Sequence, residues 1–289
     1  MEIIMGKNIG FCFGVKRALE GTLNESKKNN KVVYCLGELV HNKDVINDIK
    51  NNGIIIINDI DEIKENNSKL IIRAHGVDKK IYAKAKQRNI DVIDFTCPLV
   101  NKIHNIVEKY KNQDYYIFLI GNKNHPEIIG TVSYCGDNYS IIENIEELEI
   151  NIDKLLKTEF RNLLVVVQTT FSTNKFNDME KKINEKLNDK LNIAIKNTIC
   201  NSTEQRQIET EDLSKKVDLM IIIGGKNSSN TKKLHEIAKR YTNSLLVESD
   251  KDVDLKLLDG CNKIGIMSGS STPQSIIDLL VKKLKNYYL

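Results

Sequence analysis

The chain has 289 residues, 40% of them hydrophobic, enough for one large domain or two to three small ones with sizeable cores. Its 43 Lys and Arg nearly balance 39 Asp and Glu, and the two signs are interspersed, which excludes the basic stripe that extended nucleic-acid binding needs. No apolar run approaches the ~18 residues of a membrane span, and residues 1–7 lack a signal-peptide pattern, so the expected location is the cytoplasm.

Short β-branched runs alternate along the chain with segments of helical period. Strands are expected at 31–36, 53–57, 70–74, 92–95, 115–120, 163–168, 193–199, 219–223, 244–247 and 264–267. Helices are expected at 14–28, 41–51, 78–88, 99–112, 174–190, 204–216, 231–241 and 273–287. Such alternation predicts an α/β fold with mainly parallel sheets. The chain has three prolines, Pro98, Pro126 and Pro273, and each is expected to open a helix, because proline suits the first helical position. Cys97, His125 and Thr272 should then lie just before helix N-termini. In parallel sheets, the loops at strand C-terminal ends form the ligand crevice.

Chemistry-bearing residues gather in those loops. Three of the six cysteines, Cys12, Cys97 and Cys200, sit in small or polar loops and divide the chain into rough thirds. Structural disulfides are rare in the cytoplasm, and three thiolates converging from three similar modules suit an iron–sulfur cluster with one iron left without a protein ligand. This spacing favours three small sheets around a common centre over one wide sheet. Without a C-x-x-C, a zinc ribbon or ferredoxin-type site is not expected. Cys35, in an apolar run, and Cys135 and Cys261, with no matching partners, read as core or incidental thiols. His41, His75 and His125 occupy loop positions and suit an anionic ligand better than a metal, whereas His104 and His235 fall inside expected helices as surface or packing residues. The Ser-rich loops 224–230 and 268–273 each precede a helix, where free N–H groups and the dipole favour phosphate. Asn227 stands where a Walker A loop needs Ser or Thr, so nucleotide use is not supported. Glu127, at a helix start after His125-Pro126, is either a dipole-complementing carboxylate or a proton carrier.

Together these motifs resemble the 4-hydroxy-3-methylbut-2-enyl diphosphate reductase family. The resemblance runs through Gly10-Phe11-Cys12-Phe13-Gly14-Val15, Val40-His41-Asn42, Ala74-His75-Gly76-Val77, Thr96-Cys97-Pro98-Leu99-Val100, His125-Pro126-Glu127, Gln168-Thr169-Thr170, Cys200-Asn201-Ser202-Thr203, Lys226-Asn227-Ser228-Ser229-Asn230 and Gly269-Ser270-Ser271-Thr272-Pro273. It implies a trefoil of three α/β modules, with boundaries expected at 1–97, 98–195 and 196–289, around a [4Fe–4S] cluster held by Cys12, Cys97 and Cys200. The substrate diphosphate would bind His41, His75, His125, Ser228, Ser229, Asn230 and Ser271; Thr169 or Thr170 and Glu127 would handle the substrate hydroxyl and protons. Electrons would come singly from ferredoxin or flavodoxin, and the products would be isopentenyl and dimethylallyl diphosphate, ending the non-mevalonate isoprenoid pathway. Two departures stand out: Asn122 where many relatives carry a second loop histidine, and Ser202 where they often have a small apolar residue. Two rival readings are a dehydratase similar to quinolinate synthase, using the open iron as a Lewis acid, and a non-enzymatic cluster-containing sensor.

Overall fold

A computed structural model describes residues 2–28, 31–40, 42–65 and 67–287. The chain opens with β1 (Glu2–Met5) and α1 (Phe13–Ser26), then β2 (Val33–Leu36), α2 (Lys43–Asn51), β3 (Ile55–Ile57), β4 (Lys69–Ile72), α3 (Lys79–Gln87) and β5 (Asp91–Asp94). There follow α4 (Pro98–Lys111), β6 (Tyr116–Ile120), α5 (Pro126–Cys135), β7 (Tyr139–Ile142), α6 (Ile145–Leu155), β8 (Asn162–Val167), α7 (Thr173–Leu187) and β9 (Asn192–Lys196). The last part holds α8 (Asn201–Ser214), β10 (Leu219–Ile223), α9 (Ser229–Ala238), β11 (Asn243–Val247), β12 (Lys263–Ser268) and α10 (Gln274–Tyr287).

The strands form three four-stranded sheets, in the orders β3-β2-β4-β5, β7-β6-β8-β9 and β1-β12-β10-β11. Every pairing is parallel, as the alternation of strand and helix requires, since parallel neighbours need crossover connections. The α/β class expected from the sequence therefore stands. Central strands such as β8 and β10 read as continuous apolar runs because helices cover both faces; Leu163–Val167 and Leu219–Ile223 are all nearly inaccessible. Separate apolar clusters fill opposite sides of the second sheet, one around Phe118 and Phe176 and one around Ile103 and Leu119.

The three sheets share one plan. Numbered within its own group, the first sheet runs second–first–third–fourth, and so does the second. The third does the same if β10, β11 and β12 are its first three strands and β1 its fourth. β1 thus pairs with β12, Glu2 opposite Lys263 through Met5 opposite Ile266, although it lies at the start of the 1–97 stretch. β1, β7 and α6 were absent from the expected elements; the strands are short, partly exposed edges that bury too little to leave a clear apolar signature. Pro98 and Pro126 take the first helical positions of α4 and α5 as expected, but Pro273 sits one residue ahead of α10, where its carbonyl accepts the Ile277 amide.

The chain packs as two compact units. One combines Met1–Leu19, Glu38–Asn52 and Asn201–Leu289; the other combines Glu20–Gly37 and Gly53–Cys200. The first and second sheets lie in the latter unit and the third in the former, together with α2. No helix among the described residues is long and apolar enough to cross a membrane.

Candidate active site

The shared strand order fixes where ligands can bind. In a second–first–third–fourth sheet, the crossovers leave the first and third strands in opposite directions, and their C-terminal loops diverge to open a crevice. The loops at these switch points are 37–42 and 73–76 in the first sheet, 121–125 and 168–172 in the second, and 224–228 and 269–273 in the third. These loops and the first turns of the helices that follow them carry the proposed substrate residues: His75; His125 and Glu127 with Thr169 and Thr170; Ser228, Ser229 and Asn230 with Ser271. His41 belongs to the loop after β2 in sequence but lies outside the described residues.

The cysteines occupy the fourth-strand loops. Cys97 follows β5, Cys200 follows β9 and Cys12 follows β1, and each immediately precedes a helix of 14 residues. Each is fixed by the same backbone bond. The Cys97 amide donates to the Ala74 carbonyl at 3.0 Å, Cys200 to Thr169 at 2.9 Å and Cys12 to Ser270 at 3.1 Å. Each acceptor stands two residues past the end of its sheet's third strand. All three thiols are partly exposed, while Cys35 and Cys135 are buried, and burial pushes both buried thiols up to about 12. Cys261 packs against the core of the third sheet. Three accessible thiols held alike at helix N-termini, where dipole and free amides favour negative charge, fit the donor set of an anionic iron–sulfur cluster. Among the described residues no group of three His, Cys, Asp or Glu side chains is gathered for a metal ion; Cys12 belongs to one compact unit, Cys97 and Cys200 to the other.

Within the unit that holds the first two sheets, the candidate residues form a connected path. It depends on a close approach of α5 to the loop after β4. Gly130 faces the Val77 backbone so tightly that a Cβ there would lie 3.3 Å from Val77 N and C. The Lys79 amide also donates to Ser133 Oγ of α5 at 3.0 Å. Gly76 turns the β4 loop at φ 73° and lies over His104, leaving no room for a side chain. This docking brings the rings of His75 and His125 edge to face, 5.4 Å apart. His125 caps α5: its Nδ1 accepts the Glu127 amide at 3.1 Å.

Glu127 is the chemical centre of the path. It is 2% exposed. The Thr169 amide donates to its Oε1 at 2.7 Å, and the Thr169 hydroxyl donates to Oε2 at 2.5 Å. Burial pushes the carboxyl up to about 7, against the opposing pull of the Thr169 hydroxyl and amide. A carboxylic acid that titrates near neutrality suits proton transfer. Thr170 faces elsewhere, accepting from Gln168 Nε2 at 2.8 Å. Thr169 also carries the carbonyl that anchors Cys200. The path therefore runs from the Cys200 loop through Thr169, Glu127, His125 and His75 to the loop that anchors Cys97.

Sequence reasoning missed the braces of this path. Gln168, 2% exposed, accepts the Asn122 amide at 3.0 Å and so ties the His125 loop to the Thr169 loop. Asn122 folds its loop by accepting the Asn124 amide at 2.8 Å, a turn that its short amide side chain favours. His104 and His235 lie inside helices as expected. His104 is 3% exposed and stacked on Tyr134 at 4.2 Å, and burial drives its ring down to about 4.

In the third sheet, Ser228 caps α9 by accepting the Thr231 amide at 3.4 Å. Asn230, on the first turn of α9, is 2% exposed, yet among the described residues neither its amide nitrogen nor its oxygen has a partner. The buried hydroxyl of Ser271 has none either. Buried polar groups are normally satisfied. Unsatisfied ones at the N-terminus of α9 and in the facing loop are suited to a phosphate-bearing ligand.

Parallel α/β sheets of one repeated plan, with thiols at helix N-termini and a near-neutral buried acid at a switch point, define a redox-type α/β enzyme scaffold. A family model described as LytB protein matches residues 3–285, and the chain belongs to that family. It is 39% identical over 290 residues to the 4-hydroxy-3-methylbut-2-enyl diphosphate reductase of Caldanaerobacter subterraneus subsp. tengcongensis, covering 99% of this chain and 97% of that one. It is 38% identical over 289 residues to the Clostridioides difficile protein of the same name, covering 99% and 100%. The solved E-1-hydroxy-2-methyl-but-2-enyl-4-diphosphate reductase from Plasmodium falciparum superposes with a TM-score of 0.90 at 33% identity, covering 99% of this chain and 88% of that one. A second solved structure, of (E)-4-hydroxy-3-methyl-but-2-enyl diphosphate reductase, the terminal enzyme of the non-mevalonate pathway, gives 0.71 at 34% identity and covers 99% and 100%.

Proposed function

We propose that this chain is an oxidoreductase that removes the hydroxyl of 4-hydroxy-3-methylbut-2-enyl diphosphate. Two electrons and two protons enter, the C–O bond breaks, water leaves, and a new C–H bond gives isopentenyl or dimethylallyl diphosphate, the last step of the non-mevalonate isoprenoid pathway. Family membership supports this reading. The structural observation that carries it is the buried Glu127–Thr169 pair, whose acid titrates near neutrality beside the Cys200 loop.

Cys12, Cys97 and Cys200 would hold a [4Fe–4S] cluster with one open iron, which would supply electrons received singly from ferredoxin or flavodoxin and a Lewis-acidic position. The chain's own residues do the rest. His75 and His125, with His41, Ser228, Ser229, Asn230 and Ser271, bind the diphosphate and so orient the hydroxyl-bearing carbon. Glu127 holds a proton that it can give to the departing hydroxyl, turning a poor leaving group into water. Thr169 fixes the carboxyl through two bonds and hydrogen-bonds the substrate oxygen; Thr170, engaged with Gln168, shapes the same loop. The six free thiols suit a reducing compartment such as the cytoplasm.

The test is product identification. Anaerobically purified protein with a reduced one-electron dye should convert the hydroxylated diphosphate to two C5 diphosphates. Substrate bound without turnover, despite an intact cluster spectrum, would overturn the reading and favour the sensor.

A further inference from the structure

The repeated plan makes one residue conspicuous. Six positions after each cysteine, on the second turn of the following helix, stand Ala18 on α1, Ile103 on α4 and Arg206 on α8, all within 3% of complete burial. Two of the three are the apolar residues that a core position calls for; the third is a guanidinium, which is costly to bury. Packing alone does not call for it. Its hydrogen bonds show what it does. Nη2 donates to the Gly10 carbonyl at 2.8 Å, two residues before Cys12. Nη1 donates to the hydroxyl of Ser202, two residues after Cys200, and at 3.4 Å to the Ser202 carbonyl. The Gly10 amide is held in turn by Ser268 Oγ at 2.7 Å, and Cys12 by the Ser270 carbonyl. The Cys12 loop is thus pinned from the third-strand side by Ser268 and Ser270, and from the α8 side by Arg206.

We infer that Arg206 is a positioning residue for the iron–sulfur centre: it clamps the Cys12 loop to the first turn of α8 and fixes a positive charge beside that centre. The inference rests on the cluster assignment proposed above. A planar guanidinium can reach two acceptors at once, as a lysine ammonium on its single stem does not. A buried charge is weakly screened and acts on a nearby anionic cluster over short range. It favours the reduced, more negative state, and net charge is one of the determinants of cluster potential. Ser202 and Gly10 are the two residues that the clamp holds.

The test uses anaerobic holoprotein and two readouts: the cluster midpoint potential from a spectroscopic redox titration, and the rate of iron release to a chelator. Arg206→Gln should lower the potential and release iron several-fold faster. Arg206→Lys should restore the potential towards wild type while leaving iron release fast, because the charge returns but the two-pronged bond does not. A merely structural residue would change iron release in both variants and the potential in neither; that result overturns the inference. Should Arg206→Gln fail to fold, Ser202→Ala decides: faster iron release supports the clamp, and a wild-type rate overturns it. A wild-type protein that binds no cluster would instead defeat the cluster assignment itself.

Discussion

Replacing Glu127 by Gln keeps the shape of the side chain and removes its proton chemistry. In the native protein, burial raises this carboxyl from 4.5 to about 7. At about 1.4 kcal/mol per pH unit, that shift penalises the ionised form by ~3 kcal/mol. Between these two values the native state keeps a proton that the unfolded chain has released. By linkage, this contribution to stability is fully present below pH 4.5, falls as pH rises through about 7, and is constant above it. Glu127→Gln has no such titration. The variant's stability relative to wild type should therefore improve by ~2 kcal/mol between pH 5.5 and 8, read as the difference in chemical-denaturation free energies at the two pH values. Other titrating groups are common to both proteins and cancel. In the reductase assay, loss of a general acid should cost about 10²- to 10⁴-fold in kcat, with binding of the diphosphate retained. Wild-type kcat/KM should fall as pH rises above about 7, where Glu127 of the free enzyme gives up its proton. A variant with near-normal turnover, or a stability difference that does not change with pH, would refute the reasoning.

Other outcomes follow from the same geometry. Cys12→Ser, Cys97→Ser and Cys200→Ser should each lose the cluster, while Cys35→Ser, Cys135→Ser and Cys261→Ser keep it; iron and sulfide analysis of anaerobic protein decides, and a full cluster in all three of the first set would sink the ligand assignment. Thr169→Val removes a hydroxyl that lowers the Glu127 value, so the pH at which kcat/KM falls should move upward; Thr170→Val removes a hydroxyl that accepts from Gln168 Nε2 and should leave the profile in place. Asn230→Ala deletes two polar atoms that are unsatisfied among the described residues, so unfolding free energy should change by less than ~1 kcal/mol while KM for the diphosphate rises; unchanged KM would remove Asn230 from the binding site.

Much of this was readable in the sequence, and the residues show why. Central strands such as β6, β8 and β10 are buried on both faces and announce themselves as unbroken apolar runs. Edge strands such as β1, with the burial of a half-exposed ribbon, do not. The pairing of β1 with β12 is non-local, and no local pattern encodes it. Cys97 and His125 stood out because a following proline marks a helix start. Which threonine meets Glu127 was not readable, since adjacent residues of a loop differ only in direction; the structure turns Thr169 towards the carboxyl and Thr170 towards Gln168. Arg206 was invisible for the opposite reason. On α8, whose polar sequence gives no apolar stripe, a lone arginine reads as solvent-facing, and only its burial reveals otherwise.

The central claim is reductive removal of a hydroxyl, and the most direct measurement is the number of electrons consumed per diphosphate converted. Anaerobic protein would be supplied with a known quantity of reduced dye and limiting 4-hydroxy-3-methylbut-2-enyl diphosphate, and dye oxidation compared with C5 diphosphate formed. The account predicts two electrons for each molecule of isopentenyl or dimethylallyl diphosphate. Substrate consumed with no electrons taken up would mean dehydration without reduction and would contradict it.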